Sequence, residues 1–444
     1  MSLGGKLRSS LIATLFGARA QAGRRRWAEL RRKLSGKSHT VHAFLELDDP
    51  YSYLLSLYLR DLQDRYDIDL QIHLTQALGE EFRPHADLQT VHAQQDCQRL
   101  AGELGVPFLD QGTAPPVEYR LALIETLGAV SGDEFEGEVL EAIGLYWRGD
   151  AQAVRRRLPA NMAVGMGDAM LSKGQALLKK LGHYNSAMLY YGGEWYWGVD
   201  RLHYLTERLD EMELRKQEEP KRQLPDLRQL EQVALPVSPP SSAQDLPPLE
   251  FFFSFRSPYS YLAIQRVFDI ADAFDLTLNI RPVLPMVMRG LPVPDAKKRY
   301  IITDTVREAQ RRDITYGKFV DPLGSGVERC LAVFFYALGE KKERAFLLNA
   351  ARGIWSEGID VATDKGLRRI TGRTGLFWPD VKATIESSDW RIVVEENRSE
   401  LTDAGFWGVP TLRLGDFAVW GQDRLWLLIR EIEEKCDTGE GILI

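Results

Sequence analysis

Cysteine is scarce. The 444-residue chain holds three, Cys97, Cys330 and Cys436, and no CxxC. That excludes a disulfide framework, a cysteine-rich zinc site and paired-cysteine disulfide exchange. It fits a reducing compartment, and a cytoplasmic location is the expectation. Histidine is almost as thin. There are seven, and none lies beyond His203. The second half therefore cannot assemble a Ser-His-Asp triad from its own residues. Clustered metal ligands are lacking, so no metal is expected. No apolar run approaches the ~20 residues of a membrane-spanning helix. Nor is the chain basic as a whole. Residues 1–40 carry ten Lys/Arg against Glu29, a net of +9, so the remainder carries −16 of the total −7. An acidic body argues against general nucleic-acid binding. The leader "GARAQAGRRRWAELRRKL" reads as a solvated extension, as an amphipathic helix for an anionic surface, or as an organelle transit segment.

What is present is repetition. "DPYSYLLSLYL" at Asp49–Leu59 answers "SPYSYLAIQRV" at Ser257–Val267, 208 residues later. Trp147 and Trp355 are again 208 apart. "GHYNSAMLYYGGEWYWGVDRLHYL" at Gly182–Leu205 answers "GFWGVPTLRLGDFAVWGQDRLWLL" at Gly405–Leu428 at an offset of 223. The same phrases in the same order, with a period far above 50 residues, indicate a tandem duplication of one domain rather than a solenoid. Seven prolines between Glu218 and Glu250 mark a linker. The division expected is a basic extension (1–40), a first domain (41–211), a Pro-rich linker (212–248) and a second domain (249–444).

Each copy opens with a β-like run, "TVHAFLELD" or "LEFFFSF", then a helix and a second strand, which is a parallel βαβ unit. A helical middle follows, roughly 85–180 and 293–388. Each copy closes with a hairpin turning at Gly192-Gly193 or Gly415-Asp416, and a last helix. The fold class expected is α/β: two thioredoxin-like domains, each with a helical insertion.

In that frame Ser257 ends a strand and Pro258 opens a helix. Its hydroxyl sits at the positive helix end, where a thiolate or carboxylate is stabilised. A plain N-cap is the alternative role. "GVPT" places Pro410 just before a strand. If its peptide bond is cis, Val409 turns its backbone toward an extended, peptide-like ligand. "GQDR" places Gln422 and Asp423 at the last helix start, with Asp423 as N-cap or as a partner for an ammonium group.

"SPYSYLA", "RPVL", "KRY…D…REA", "GVPT" and "WGQDRL", in order, resemble the 2-hydroxychromene-2-carboxylate isomerases and kappa-class glutathione transferases, in the DsbA-like branch of the thioredoxin superfamily. The resemblance covers about 249–434 directly, and 40–210 only through the repeat. It implies reduced glutathione as cofactor. Ser257 would hold its thiolate, the Val409 backbone beside Pro410 its cysteine, and Gln422 and Asp423 its γ-glutamyl end. It implies conjugate addition of the thiolate to a polarised alkene, bond rotation and elimination, on a small electrophile of the aromatic or unsaturated oxo-acid kind. One departure is plain: the loop "VMRGLPVPDAKKRY" lacks the family's Gly-Asn. Arg289, Lys297 and Lys298 either meet an anionic substrate or form a solvated face. Tyr300, Asp304 and Arg307 share a helical pattern and either line the cleft or form a surface pair.

The chemistry stands without the family. A helix-start serine lacks the base it needs to be a nucleophile. It can donate a hydrogen bond to another molecule's thiolate. Such a charge-assisted bond contributes roughly 1.5–3 kcal/mol, enough to lower a thiol pKa by about one to two. The first copy departs from this pattern. Asp49 stands at the serine position, Ala187 at the proline position, and Asp200 reads as an N-cap. It is expected to be non-catalytic and to serve as a built-in pairing partner, giving a monomer or pseudo-dimer. The rival function for the whole chain is a tandem thioredoxin-fold binding or scaffold protein without catalysis.

Overall fold

The computed structural model describes residues 18–108, 116–149, 151–157, 165–217 and 222–438. Residues 1–17 of the basic leader and 218–221 of the Pro-rich segment lie outside them. The chain divides into two compact units: one is Gly23–Gln229, and the other joins the described residues before Gly23 to the described part of Leu230–Ile444. The division falls inside the Pro-rich stretch.

Helix α1 (Ala18–Leu34) leads into the first unit, which starts at Gly23 within it. Then come β1 (Thr40–Leu45), α2 (Pro50–Arg65) and β2 (Asp69–Leu74), whose strands pair in parallel. Helices α3 (Ala86–Glu103), α4 (Val117–Gly128), α5 (Phe135–Arg148), α6 (Ala151–Arg157) and α7 (Met166–Leu181) fill the middle. The hairpin β3 (Met188–Tyr191) and β4 (Glu194–Trp197) and helix α8 (Leu202–Glu211) close it. The sheet order is β2-β1-β3-β4. Gly192 and Gly193 turn the hairpin at φ 52° and 89°, values that favour glycine.

The second unit repeats the plan. β5 (Leu249–Phe253), α9 (Pro258–Ala273) and β6 (Leu278–Pro282) form its βαβ element. α10 (Asp295–Arg311), α11 (Ser325–Gly339), α12 (Glu343–Trp355), α13 (Asp364–Arg373), α14 (Trp378–Thr384) and α15 (Trp390–Asp403) follow. β7 (Thr411–Leu414), β8 (Phe417–Trp420) and α16 (Leu425–Thr438) complete a sheet of order β6-β5-β7-β8. Both units are thioredoxin-like, as the sequence predicts, with a helical insertion between the second and third strands.

β5 is buried on both faces, and its composition suits that. β5 reads Leu-Glu-Phe-Phe-Phe, and all five residues are buried. The helix after it buries Leu262, Ile264, Val267, Phe268 and Ile270 between the sheet and the neighbouring helices α10 and α12. The last helix starts at Leu425, not at Gln422. The Pro-rich segment is packed, not a bare tether: a short 3₁₀ turn, Ser241–Asp245, lies on α16, and Ala243 is buried there.

The sequence offsets reappear in the bonding. Tyr51 donates to Asp96, and Tyr259 to Asp304, both at 2.9 Å. Tyr53 donates to the Pro107 carbonyl at 2.7 Å, and Tyr261 to that of Thr315 at 2.8 Å. The Trp147 indole reaches the Leu47 carbonyl at 3.1 Å, and Trp355 that of Phe255 at 3.2 Å. These pins fix the strand-to-helix corner of each unit from three sides.

Candidate functional site

The corner after β5 is built from local rules. Ser257 caps α9 in an extended conformation, φ −94° and ψ 113°, with Pro258 as the first helical residue. Its Oγ accepts the Ser260 N–H at 3.1 Å. The hydroxyl proton points to the Val409 carbonyl at 3.3 Å. Ser257 is therefore an N-cap, and its one donor is spent on a long bond in a half-buried place. Such a donor is cheaply redirected to a better acceptor.

The Val409-Pro410 peptide bond is cis. The Pro410 carbonyl accepts the Gly421 N–H at 2.9 Å, tying the β7 entry to the turn after β8. Val409 packs on a cluster of Phe252, Val283, Leu401, Phe406 and Ala418. Trp407, three residues before Pro410, is buried, with its ring 5.1 Å from that of Trp420.

Gln422 and Asp423 sit in the turn before α16, so neither begins the helix itself. The Gln422 side chain is only 1% exposed. Its amide donates to Glu308 at 2.9 Å, and its oxygen accepts from Arg266 at 3.0 Å. Arg266 also donates to the Gln422 carbonyl at 2.6 Å. The Gln422 side chain is thus committed to internal hydrogen bonds. It positions the turn. Glu308 in turn binds Arg311 and Arg312, and Glu231 binds both arginines at 2.7 Å. Burial, with Arg312 nearby, pushes the Arg266 guanidinium down to about 10. Sequence reading misses this network, because Glu308 and Gln422 are 114 positions apart and the motifs that carry them, "REA" and "WGQDRL", do not say that the two side chains meet. Asp423 is half-buried. At Gly421, φ 101°, an added Cβ would lie 2.6 Å from the Asp423 carboxylate, so this turn needs glycine on both counts.

The loop cations separate into different roles. Lys298 is exposed and pairs with Asp295 at 3.1 Å. Arg289 donates to the Trp407 carbonyl at 3.0 Å, and burial lowers its pKa. Burial also lowers the Lys297 pKa. Asp304 and Arg307 are joined at 2.7 Å and are both nearly inaccessible, which excludes a surface pair.

The matching corner of the first unit carries different chemistry. Asp49 caps α2 and accepts the N–H groups of Tyr51 and Ser52. Its carboxylate also takes the Ser52 hydroxyl at 2.7 Å and the Ser186 hydroxyl at 3.0 Å. Burial raises its pKa despite these four donors. Glu46 lies close by, raised well above its ordinary value by burial, then by Asp49 and Asp48. Ala187 takes the place of Pro410. It sits at φ 53°, and its carbonyl accepts the Gly198 N–H at 2.7 Å, as that of Pro410 accepts Gly421. Asp200 lies within a 3₁₀ turn, Val199–Arg201, and Arg201 occupies the cap position, so Asp200 is not the N-cap.

No group of three or more His, Cys, Asp or Glu suited to a metal occurs among the described residues. No described helix is long and apolar enough to cross a membrane.

Residues 248–433 match the DsbA-like thioredoxin domain. A 2-hydroxychromene-2-carboxylate isomerase of Pseudomonas putida is 25% identical over 193 residues, covering 42% of this chain and 95% of that protein. One of Sphingobium xenophagum is 26% identical over 185 residues, covering 40% of this chain and 93% of that protein. A solved 2-hydroxychromene-2-carboxylate isomerase aligns at 26% identity over 43% of this chain and 96% of that one, with a TM-score of 0.38. The chain therefore carries a DsbA-like thioredoxin domain whose relatives include 2-hydroxychromene-2-carboxylate isomerases.

Proposed function

We propose that the second unit is a glutathione-dependent isomerase or transferase acting on a small electrophile, and that the first unit is a non-catalytic companion derived from the same domain. The observation that carries the reading is the Ser257 hydroxyl, held at the start of α9 with its proton 3.3 Å-bonded to the Val409 carbonyl. The isomerase names of the relatives supply the reaction class.

The residues present fit glutathione in part. Ser257 offers a donor at a helix N-terminus, where the field favours an anion. Val409 offers backbone beside the corner, and Asp423 a half-buried carboxylate for an ammonium group. The Gln422 side chain does not contribute a contact. It holds the turn that carries Asp423. Reduced glutathione would supply a thiolate nucleophile. Ser257 would turn its proton from the Val409 carbonyl to that sulfur, keeping its cap bond to Ser260. The charge-assisted bond contributes about 1.5–3 kcal/mol. Lys297, kept partly out of water, is the loop cation best suited to meet a carboxylate on the substrate.

The scaffold reading draws on the first unit, where four donors already occupy the Asp49 carboxylate. A negative group there disfavours a thiolate. Calorimetric titration of reduced glutathione into the full chain separates the two. One site per chain, lost in Ser257→Ala, supports the enzyme. No heat at millimolar ligand supports the scaffold.

A further inference from the structure

Helix α1 is divided lengthwise into a face that packs on the protein and a face that is exposed. Between Ala18 and Leu34 it carries seven Lys/Arg and one acid, Glu29. The inward face is anchored by Arg25, whose guanidinium meets both oxygens of Glu194 at 3.1 Å. Glu194 is buried and is also held by Arg208 at 3.1 Å and by the Tyr196 hydroxyl at 2.7 Å. Burial alone would raise its pKa, but Arg208 and Arg25 hold it below the ordinary value. Arg32 lies on the same side and pairs with Glu29 at 2.7 Å.

The opposite face exposes Trp27 at 61%, Leu30 at 48% and Leu34 at 80%. At 3.6 residues per turn these three fall within about 60° of the helix circumference. Arg24 and Arg31 follow one edge of this stripe, and Arg26 and Lys33 the other; all four are exposed. An aligned tryptophan and two leucines cost free energy in water. A flanking row of cations on both sides is what an interfacial helix carries. Nucleic acid would meet the cations but leave the apolar centre wet.

We propose that α1 docks this protein on the surface of an anionic lipid bilayer. Trp27, Leu30 and Leu34 enter the boundary between headgroups and acyl chains. Arg24, Arg26, Arg31 and Lys33 lie on the lipid phosphates. The charge of the rest of the chain agrees with this. Beyond residue 40 it carries −16, so an anionic surface repels the body and selects the basic helix.

The test is co-sedimentation of the full chain with vesicles of phosphatidylcholine alone, and of phosphatidylcholine with about 30 mol% phosphatidylglycerol. Binding to the anionic vesicles, at least about tenfold tighter than to the neutral ones and weakened by salt, is expected. The triple variant W27A/L30A/L34A and the double variant R24E/R31E should each lose about tenfold or more. These positions are exposed, and circular dichroism serves as the check that each variant is folded. Absence of binding to anionic vesicles overturns the proposal, as does binding that either folded variant retains in full. A DNA duplex bound equally by wild type and the apolar variant, with no vesicle binding, overturns it in favour of nucleic acid. A dimer that sediments only in wild type, with no vesicle binding, overturns it in favour of self-association.

Discussion

The two strand-to-helix corners share a backbone and differ in what they do with it. Both carry a capping oxygen, a Ser three residues later whose N–H it accepts, and a tyrosine pinned to a buried aspartate. In the second unit the cap is a hydroxyl whose proton rests on a carbonyl. In the first it is a carboxylate saturated by donors. What recurs in both corners is framework. The Tyr259–Asp304 pair, which lies close to Ser257 in sequence, is thereby sorted with structure, because Tyr51–Asp96 does the same beside a corner without the serine. What differs is where function is to be sought: Ser257 against Asp49, Val409-Pro410 against Ser186-Ala187, Gln422 against Val199. The outer sheet faces differ as well. Glu250 pairs with Arg281 at 2.5 Å in one unit, and His42 with His73 at 3.0 Å in the other. Burial keeps both histidines neutral, with His73 pushed down to about 4.

Exchanging residues between the units breaks the comparison most sharply. Ser257→Asp places the first unit's charge in the second. Two like charges about 4 Å apart repel by about 4 kcal/mol near a protein surface, so thiol-dependent turnover should fall by about a thousandfold. Steady-state kinetics checks this, and near-wild-type turnover would sink the thiolate role. Ser257→Ala removes the donor without adding charge and should cost about 10–150-fold in kcat/KM. Gln422→Val installs the residue of the first unit. It leaves Glu308 and Arg266 each short of a buried partner, for a loss of about 1–3 kcal/mol in stability, read by urea unfolding. Activity lost without any loss of stability would return Gln422 to the ligand.

The last exchange concerns pH. The Asp49 carboxyl titrates higher folded than unfolded, because burial disfavours its charge. Its protonated form is therefore favoured in the fold, and stability is lost as pH rises through the folded value. Asp49→Asn keeps a good cap and removes the charge. Its thermal midpoint should exceed wild type at pH 8, and the gain should vanish below the ordinary aspartate range, near pH 3. A gain that does not change with pH would show that Asp49 is not strained by its burial.

The sequence made the fold readable through repetition. "PYSYL" fixed the corner twice, and the Gly192-Gly193 and Gly415-Asp416 turns fixed the hairpins. Ser257 as a cap followed from Ser-Pro after an apolar run. The network under Gln422 was hidden, since Arg266, Glu308 and Glu231 come from segments far apart in the sequence and no motif states that they meet. The bond between Ser186 and Asp49 was hidden for the same reason, at 137 residues' separation. The longer offset in the latter half, 223 instead of 208, resolves into secondary structure. Between Trp355 and β7 the second unit has α13 and α14 ahead of α15, where the described residues of the first unit have α6 alone ahead of α7. Leu401 of α15 is buried as Leu178 of α7 is, 223 residues earlier.

Both corners belong to one polypeptide. In an assembly of identical subunits every substitution appears at each site at once, so an Asp for Ser exchange would silence all of them. Here the two corners differ within one polypeptide. A single chain that carries two similar units lets a substitution reach one corner and leave the other as it is.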